Sequence, residues 1–475
     1  MSVGLLEGGA AALARAIRSR ELSCAAVMDA TLDRIGRLNP RHNAIVALRD
    51  RSALMAEATA ADAALADGVA VRPLHGLPLA VKDVVPVAGV RTTWGSPIFR
   101  DFVPAEDAIA VERMRRAGGI VIGKTNVPEF GLGSHTYNPI YGATGNAYDP
   151  SRTAGGSSGG AAVAVALRMV PVADGSDFGG SLRNPPGWNN VFGFRPGFGL
   201  IPTADLDVWT PSLTVLGPVA RSVEDMALLF DVLAVRDDRA PLSSGGSPGS
   251  VAALDADIRG RRIAWLGDFG GSIPFEPGVL PLCRQALSVF EDLGCVVEDA
   301  VPDFPFERIW ACWKAVRAWQ SGSALVDHAR NPATRGLLKP EALFEAESFE
   351  RLTVEELRQA QRIRTEWYGA VRRFFARYDA FVLPTAQVFP FPVGLDWPKS
   401  IAGEPMEAYY DWMKVAVPVS LSGCPAIAAP AGFGDAGLPM GIQIVTPIGR
   451  ETAGLQLAQA YDRATRWPDR RPPPE

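Results

Sequence analysis

Three short segments of the chain combine a lysine with serines in glycine-rich surroundings, residue types that can together cleave an acyl bond. Lys82 ends the apolar run GLPLAVK, Ser157 lies in GGSSGG, and Ser181 lies in DGSDFGGSLRNP. Glycines beside a serine remove Cβ atoms, so a substrate can approach the hydroxyl. Backbone N–H groups in such loops can also converge on one place, as an oxyanion requires. Each segment taken alone is also compatible with an ordinary loop or strand end, so covalent catalysis by a serine is one interpretation of the pattern.

Lys82 is the candidate base. An ordinary lysine has a pKa of about 10.4, but burial can lower the pKa by roughly 3–5 units, which leaves much of the amine neutral at pH 7. The neighbouring Asp83 should point to the opposite face of the strand, so it is not expected to pair with the amine. The argument requires that no carboxylate lies close enough to restore the charge.

Gly118 to Thr125 read GGIVIGKT, which matches the phosphate-binding pattern GxxxxGK[ST]. Its central residues, Ile120 to Ile122, are apolar and typical of a strand, whereas a phosphate loop needs a turn at this point. The next residues, Asn126-Val127-Pro128, are a poor start for a phosphate-capping helix. We therefore exclude ATP binding here.

The segment around Ser157 also fits GxSxG, the nucleophile elbow of α/β-hydrolases, which needs a histidine later in the chain. His328 is the one histidine that follows Ser157. An esterase that uses Ser157 and His328 therefore stays open as an alternative, although His328 lies on an expected surface helix. No lysine stands in an SxxK motif, which excludes a β-lactamase-type site.

GLPLAVKD, GGSSGG and DFGGSLR, in this order, resemble the signature of the amidase signature family of serine hydrolases. The similarity continues through GKTNVPEF, NPIYGATGNAYDP, GPVARSVEDMALL, YDAFVLPT and GCPAIAAPAGF, and so covers most of the chain. The resemblance implies an α/β fold: a single domain over 1–475, with a central mixed β-sheet surrounded by helices. Residues 1–67 are expected to form N-terminal helices that pack on this core.

The resemblance places the catalytic triad on Ser181 as nucleophile, Ser157 as proton relay and Lys82 as base. It implies a cis peptide bond between Gly156 and Ser157. It also implies an oxyanion hole made by the backbone N–H groups of Phe178, Gly179, Gly180 and Ser181. Three further side chains are expected to support the triad: Ser158, Asp177 and Arg183.

The expected reaction is hydrolysis of C–N bonds in amides or carbamates (urethanes) without a cofactor, through an acyl-enzyme on Ser181. A lining of Gly131, Leu132, Gly133, Trp209, Trp310 and Trp313 is the candidate substrate pocket. Its aromatic residues favour hydrophobic or aryl substrates. The rival within the family is the glutamine-hydrolysing subunit of a tRNA amidotransferase. Its glutamine-binding segment is not found between 320 and 380, which favours a free-standing enzyme.

Composition limits the partners. The 47 Lys+Arg and 52 Asp+Glu give a formal charge of −5, which argues against nucleic acid or an anionic membrane as partner. The five cysteines are scattered without CxxC or Cys/His clusters, so neither a disulfide framework nor a metal site is expected. We predict a cytoplasmic monomer or homodimer that acts on a small molecule.

Apolar periodicity gives a coarse map of the elements. Two helices are expected within 5–38, the second stopping at Pro40, followed by helices at 51–67, 107–117, 222–235, 351–377 and 452–465. Strands are expected at 77–81, 120–122, 170–173, 261–266, 295–299, 380–383, 426–429 and 440–445. Residues 236–250 are predicted to be a flexible surface excursion. This alternation is typical of an α/β core.

Overall fold

The structure, a computed structural model, describes residues 4–204, 207–210, 213–246 and 249–474. Its helices are α1 (Ala10–Arg18), α2 (Cys24–His42), α3 (Arg51–Ala66), α4 (Ile109–Arg116), α5 (Gly159–Ala166), α6 (Asn184–Trp188), α7 (Val223–Leu233), α8 (Val279–Ala286), α9 (Ser288–Asp292), α10 (Phe306–Ser323), α11 (Val326–Arg330), α12 (Pro332–Arg335), α13 (Pro340–Arg351), α14 (Val354–Phe374), α15 (Val417–Ser422), α16 (Glu451–Thr465) and α17 (Trp467–Arg470). Short 3₁₀ helices span Pro97–Phe99, Glu129–Gly131, Val251–Ala253 and Asp411–Ala416.

The strands are β1 (Ile45–Val46), β2 (Pro78–Lys82), β3 (Ile120–Thr125), β4 (Tyr137–Asn138), β5 (Gly142–Ala143), β6 (Val172–Asp177), β7 (Phe192–Arg195), β8 (Val215–Ala220), β9 (Arg262–Trp265), β10 (Val296–Asp299), β11 (Ala380–Pro384), β12 (Ser400–Ile401), β13 (Glu404–Pro405), β14 (Ala426–Phe433) and β15 (Pro439–Val445). The central sheet runs in the order β10-β9-β11-β15-β14-β7-β8-β6. Strands β10, β9 and β11 are parallel to one another, and the other pairs are antiparallel. The predicted mixed sheet surrounded by helices is confirmed.

A second, smaller sheet, β1-β3-β2, carries Lys82. Strand β2 is parallel to β3, and all five of its residues are buried, as a near-continuous apolar strand between two layers should be. The Lys82 N–H at the end of β2 donates to the Asp174 carboxylate on β6 at 2.9 Å. This contact connects the small sheet to the edge strand of the central sheet.

The segment 118–125 is a strand, as the apolar residues within it indicate. Residues Ile120–Thr125 form β3 and are buried along their whole length. The P-loop match is therefore accidental, and its lysine, Lys124, is enclosed in the core with 0% exposure.

Most predicted elements lie close to their expected bounds, although several have an end shifted by two or more residues. Helix α2 continues through Pro40 to His42 and ends at Asn43, whose φ is +53°. A proline in the last turn costs one hydrogen bond and does not stop the chain from completing that turn. Strand β6 begins at Val172, not at 170. The helix expected over 351–377 starts at Val354, where Thr353 and Glu356 form a capping box.

One large cluster of buried apolar side chains extends from the N-terminal helices through both sheets to α16. Helices α1, α2 and α3 contribute, among others, Ile17, Met28 and Leu54 to it, each 0% exposed. The extent of the domain over 1–475 stays a prediction. Within the described residues, no helix is long and apolar enough to cross a membrane. The same residues contain no group of three or more His, Cys, Asp or Glu that could hold a metal ion.

Candidate active site

Lys82, Ser157 and Ser181 form one hydrogen-bonded chain. The Lys82 Nζ lies 2.8 Å from the Ser157 Oγ, and the Ser157 Oγ lies 3.0 Å from the Ser181 Oγ. Lys82 comes from the end of β2, Ser157 from the turn before α5, and Ser181 from the turn after β6. Both contacts are within the range needed for proton transfer. The structure therefore brings together the three residues that the sequence singled out.

The Lys82 amine is surrounded by neutral oxygen atoms. Besides Ser157, it contacts the Ser158 Oγ at 2.9 Å, the Ser176 Oγ at 2.9 Å and the Ser176 carbonyl oxygen at 3.3 Å. Among the described residues, no carboxylate forms a salt bridge with this amine within 4 Å. The side chain is fully buried. Such an environment solvates an amine without fixing its charge.

Burial lowers the pKa of Lys82 to about 7, because a charged amine loses its water shell in the core. The nearby carboxylates of Asp174 and Asp177 oppose this shift but do not reverse it. Near neutral pH a substantial fraction of the amine is therefore unprotonated. In that state its lone pair can accept a proton from a hydroxyl.

Asp174 and Ser176 were not singled out by the sequence analysis, although a signal for both was present. They stand two residues apart on β6, so their side chains lie on the same face of the strand. The Ser176 hydroxyl contacts the Lys82 amine, and the Asp174 carboxylate accepts the Lys82 backbone N–H. Burial raises the pKa of Asp174, and its second carboxylate oxygen has no hydrogen-bond partner among the described residues.

A second buried network holds the turn that carries Ser181. The Asp177 carboxylate accepts the backbone N–H groups of Gly180 at 2.8 Å and Leu182 at 3.0 Å. It also forms salt bridges with Arg183 at 2.9 Å and Arg195 at 3.0 Å. Although burial acts to raise it, the two guanidinium groups hold the pKa of Asp177 well below its usual range. Asp177 is therefore an anion around which the turn is folded.

Arg183 connects this network to the rest of the central sheet. Its guanidinium donates to the Gln443 side chain at 2.8 Å, the Ala416 carbonyl at 2.9 Å and the Ser420 hydroxyl at 2.7 Å. All of its polar contacts are buried. Arg195 and Gln443 escaped the sequence analysis, because nothing near them in the chain shows that they meet Asp177.

Comparisons with known proteins identify the family. The amidase family model matches residues 26–455. The protein belongs to the amidase signature family. It is 34% identical over 466 residues to an acylamidase of Rhodococcus erythropolis, covering 97% of this chain and 96% of the relative. It is 32% identical over 476 residues to a glutamyl-tRNA(Gln) amidotransferase subunit from a Cyanothece strain, covering 96% of this chain and 97% of the relative.

A crystal structure of a bacterial aryl acylamidase of the amidase signature family has the same fold. It superposes with a TM-score of 0.90 at 27% identity, covering 97% of each chain. This amidase is thus a hydrolase that acts on C–N bonds other than peptide bonds.

The turn before Ser181 in this amidase presents unpaired backbone donors. Neither Phe178, Gly179 nor Ser181 donates its N–H to any acceptor in the described residues, whereas the Gly180 N–H is bound by Asp177. The expected oxyanion hole of four donors is thus reduced to three available N–H groups. A Cβ on Gly179 would lie 2.7 Å from the Trp313 ring, so only glycine fits between this ring and the turn.

The peptide bond between Gly156 and Ser157 is cis, as the resemblance implied. Its backbone lies directly against the loop that contains residues 133–135. A Cβ on Gly156 would lie 2.8 Å from the backbone nitrogen of His135, so the close approach requires glycine. Gly131 lies on the other side, where a Cβ would be 3.5 Å from the Ser157 hydroxyl.

The candidate pocket residues are the loop segment from Gly131 to Gly133 and three tryptophans. Gly131 borders Ser157, Gly133 borders the ring of Tyr409, and the Leu132 carbonyl between them accepts the Lys339 amine at 2.8 Å. The three tryptophans differ more. Trp313 is fully buried against the turn of Ser181.

Trp310 is half-buried and packs against Tyr410, with ring centroids 5.8 Å apart. Trp209 is 72% exposed, and its backbone N–H donates to Asp207 in its own turn. Nothing in the described residues connects Trp209 to the catalytic serines. Its place in the pocket rested on composition alone, which does not show where a loop projects.

His328 does not serve Ser157. Its ring packs between Phe99 and Phe130, with centroids 5.7 Å and 6.3 Å away, and makes no hydrogen bond to Ser157. The hydroxyl of Ser157 is instead shared by Lys82 and Ser181. The GxSxG esterase alternative is therefore wrong, since it lacks its base.

Proposed function

We propose that this amidase hydrolyses its substrate through an acyl-enzyme on Ser181, with Ser157 as proton relay and neutral Lys82 as base. The observation that carries the proposal is the buried chain of three atoms joined by contacts of 2.8 Å and 3.0 Å. Serine is a weak nucleophile that needs a base. Lys82, with its pKa lowered to about 7, is the group available to supply one.

The proposed cycle balances its protons through the same two hydroxyls. Ser157 passes its proton to the Lys82 amine and receives the proton of Ser181 as Ser181 attacks the substrate carbonyl. The reversed relay then protonates the leaving nitrogen, so the C–N bond breaks with release of a neutral amine. Water, deprotonated along the same path, attacks the acyl carbonyl on Ser181, and the relay returns this proton to the Ser181 oxygen as the bond to it breaks and the acid is released.

Three backbone donors would stabilise the tetrahedral intermediates. The N–H groups of Phe178, Gly179 and Ser181 are unpaired and lie in the turn that carries the nucleophile. Donors of this kind contribute on the order of 10²–10³ in rate each. Asp177 and Arg183 act as positioning residues, because they fix the turn without touching the reacting atoms.

Ser158 shares this positioning role. Its hydroxyl lies 2.9 Å from the Lys82 amine and 3.3 Å from the Ser176 carbonyl oxygen. The amine is thereby held between Ser158 and Ser176 and directed at Ser157. A lysine with free rotation would lose much of this alignment.

The substrate class that fits best is a hydrophobic or aryl amide or carbamate. Phe178 and Trp313 pack together beside the nucleophile, with ring centroids 5.3 Å apart. Apolar, flat walls of this kind favour aromatic groups. Two relatives, named an acylamidase and an aryl acylamidase, support this choice.

The rival function is hydrolysis of glutamine as part of an amidotransferase, the name that several relatives carry. We propose a free-standing enzyme because 320–380, predicted to lack a glutamine-binding segment, forms helices α11 to α14, whose buried Glu345 pairs with Arg317 on α10. The monomer or homodimer state and the cytoplasmic location stay predictions.

Labelling with a fluorophosphonate probe tests the nucleophile. Mass spectrometry should find one adduct, on Ser181, which Ser181→Ala abolishes while His328→Ala leaves it intact. A panel of anilides, primary amides, aryl carbamates, esters and glutamine then defines the substrate. The proposal is supported if anilides or aryl carbamates are hydrolysed fastest of the panel. Hydrolysis of glutamine and of no other compound would establish the rival function.

A further inference from the structure

A buried cluster of three polar side chains lies beside the nucleophile turn and takes no part in the proposed proton relay. The Arg317 Nε donates to the Glu345 carboxylate at 2.6 Å, and the Tyr409 hydroxyl donates to the same carboxylate oxygen at 2.6 Å. An Nη atom of Arg317 also donates to the Tyr409 hydroxyl. The three residues are 5%, 1% and 5% exposed.

The cluster is located between the two loops that border the catalytic serines. Arg317 stands one turn after Trp313 on α10, and its guanidinium carbon lies 5.5 Å from the centre of the Phe178 ring. Phe178 belongs to the nucleophile turn. On the other side, a Cβ on Gly133 would lie 3.6 Å from the Tyr409 ring. The guanidinium is thus one aromatic ring away from the turn of Ser181.

One end of the guanidinium is left without a partner. Its Nη1 makes no hydrogen bond with the described residues, and it is not among the fully enclosed polar atoms that lack one. The walls around it are aromatic, since the guanidinium carbon lies 5.2–5.6 Å from the ring centres of Phe178, Trp313, Tyr409 and Tyr410. The guanidinium therefore combines a free N–H donor with a surrounding of aromatic rings.

We propose that Arg317 is the specificity-determining residue for the acyl part of the substrate, to which its free Nη1 donates a hydrogen bond. The inference rests on the proposed function, because it concerns the same site. The preferred acyl group is apolar and carries a neutral oxygen acceptor, such as a ketone, ether or amide carbonyl. Glu345 and Tyr409 hold the guanidinium plane in the orientation that makes this contact.

Charge balance decides between a neutral and an anionic acceptor. Arg317 and Glu345 form a pair with no net charge, so a carboxylate on the substrate would lose its water and meet both a cation and an anion. A neutral acceptor loses less water and still receives the hydrogen bond. The pocket therefore discriminates against acids, and Glu345 is the residue that enforces this.

The test uses p-nitroanilides of matched shape at two chain lengths. The hydrocarbon acyl groups are pentanoyl and heptanoyl, the ketones are 4-oxopentanoyl and 6-oxoheptanoyl, and the acids are succinyl and adipoyl. Release of p-nitroaniline gives kcat/KM for each. For the unaltered protein we expect kcat/KM of the ketone to be about tenfold higher than that of the hydrocarbon, as a hydrogen bond from a charged donor allows. This preference should be seen at one chain length or at both. The acid should be the slowest.

Two variants separate the donor from its counter-charge. Glu345→Gln leaves Arg317 with an uncompensated positive charge, so the acid should gain about tenfold relative to the hydrocarbon. Arg317→Met combined with Glu345→Gln avoids a buried unpaired carboxylate and should erase the ketone preference while the hydrocarbon is still cleaved. Arg308→Met is the matched control, because Arg308 lies on the same helix and pairs with Glu366 at 2.6 Å on the exposed side.

The outcomes distinguish the inference from the proposed function. If the unaltered protein cleaves no anilide, or Ser181→Ala cleaves as fast, the proposed function fails. If the anilides are cleaved by way of Ser181 but the ketone has no advantage, or the double variant keeps it, the role of Arg317 is wrong. Failure of Glu345→Gln to improve the acids would refute the charge balance. Circular dichroism confirms folding of each variant.

Discussion

Two buried polar networks border Ser181, and they differ in whether the charged group has a counter-ion. The Lys82 amine is surrounded by hydroxyl groups and a carbonyl, with no salt bridge among the described residues. The Asp177 carboxylate is bound by two guanidinium groups and two backbone N–H groups. Both side chains are 0% exposed. Burial is the same, but the partners differ.

The difference determines which group can exchange protons. Burial without a counter-ion lowers the pKa of Lys82 to about 7, so its charge can change during a reaction near neutral pH. Pairing with two guanidinium groups holds the pKa of Asp177 well below its usual range, so this carboxylate stays ionised near neutral pH. A catalytic base has to titrate, whereas a structural anchor must not. The partners of a buried group therefore indicate its function better than its depth does.

The largest effect is expected when the titrating network loses its amine. Lys82→Met keeps the shape of the side chain but removes the base, so turnover should fall by roughly 10⁴-fold. The melting temperature should stay the same or rise, because a desolvated amine is replaced by an apolar group. Anilide hydrolysis and thermal denaturation measure both. Turnover close to that of the unaltered protein would remove Lys82 from the mechanism.

Changing the anchored network should cost stability and catalysis together. Asp177→Asn leaves Arg183 and Arg195 with too little negative charge, which we expect to lower the free energy of unfolding by about 3–5 kcal/mol. The nucleophile turn would also shift, with a loss of about 10²-fold in turnover. Urea titration and steady-state kinetics measure the two effects.

The pH dependence provides a check on Asp177. Its folded-state pKa is lowered, so its contribution to stability is complete above the unfolded pKa of about 3.9 and is lost only as pH falls towards the folded value. Acid denaturation of the unaltered protein should therefore begin at lower pH than that of Asp177→Asn. Coincident acid transitions would contradict the role of Asp177 as a paired anion.

Through the family resemblance the sequence predicted the catalytic chain and two members of the network that anchors it, Asp177 and Arg183, but not their partners Arg195 and Gln443. Lys82, Ser157 and Ser181 stand in short motifs, so a local pattern was enough to find them. Arg195 and Gln443 meet Asp177 and Arg183 from β7 and β15, and no spacing along the chain reveals contacts between distant strands.

The pocket shows the same limit. Trp313 and Trp209 are the same residue type in candidate segments, yet one is enclosed beside the nucleophile and the other is 72% exposed. Trp313 is on a regular helix whose spacing fixes its face, whereas Trp209 is on a loop whose direction depends on tertiary contacts. A regular element therefore limits where a side chain can point, whereas a loop does not.

An intermediate effect is expected from Asp174, whose carboxylate accepts the Lys82 backbone N–H. The Asp174 charge raises the pKa of Lys82 and so opposes burial. The base is active when neutral, so kcat/KM should rise with pH through about 7 and level off above it. Asp174→Asn should keep the hydrogen bond from the Lys82 N–H but lose the charge, which moves this rise to lower pH by about one unit.

The measurement is the pH profile of anilide hydrolysis between pH 5 and 9, a span of about two units on either side of the Lys82 transition. At about pH 5 to 6, Asp174→Asn should keep a larger fraction of its plateau kcat/KM than the unaltered protein keeps of its own plateau. A purely structural role of Asp174 would lower the plateau and leave the midpoint in place. A midpoint that moved to higher pH would contradict the proposed electrostatic role.

The smallest effect on catalysis is expected at the second buried lysine, which makes it the control for the first. Lys124 lies on β3 beside β2 and is as enclosed as Lys82, but its amine donates to the Val85 carbonyl and lies near the Asp83 carboxylate. Burial lowers the pKa of Lys124 to about 8, yet the amine contacts no hydroxyl of the relay. Lys124→Met should thus lower the melting temperature, because Asp83 is left without a counter-charge, and leave the turnover per folded molecule on the high-pH plateau unchanged. Lys124→Met could instead impair turnover as severely as Lys82→Met while the protein stays folded. In that case burial of a lysine, and not its contact with Ser157, would be the property that catalysis requires, and the contrast between the two networks would fail.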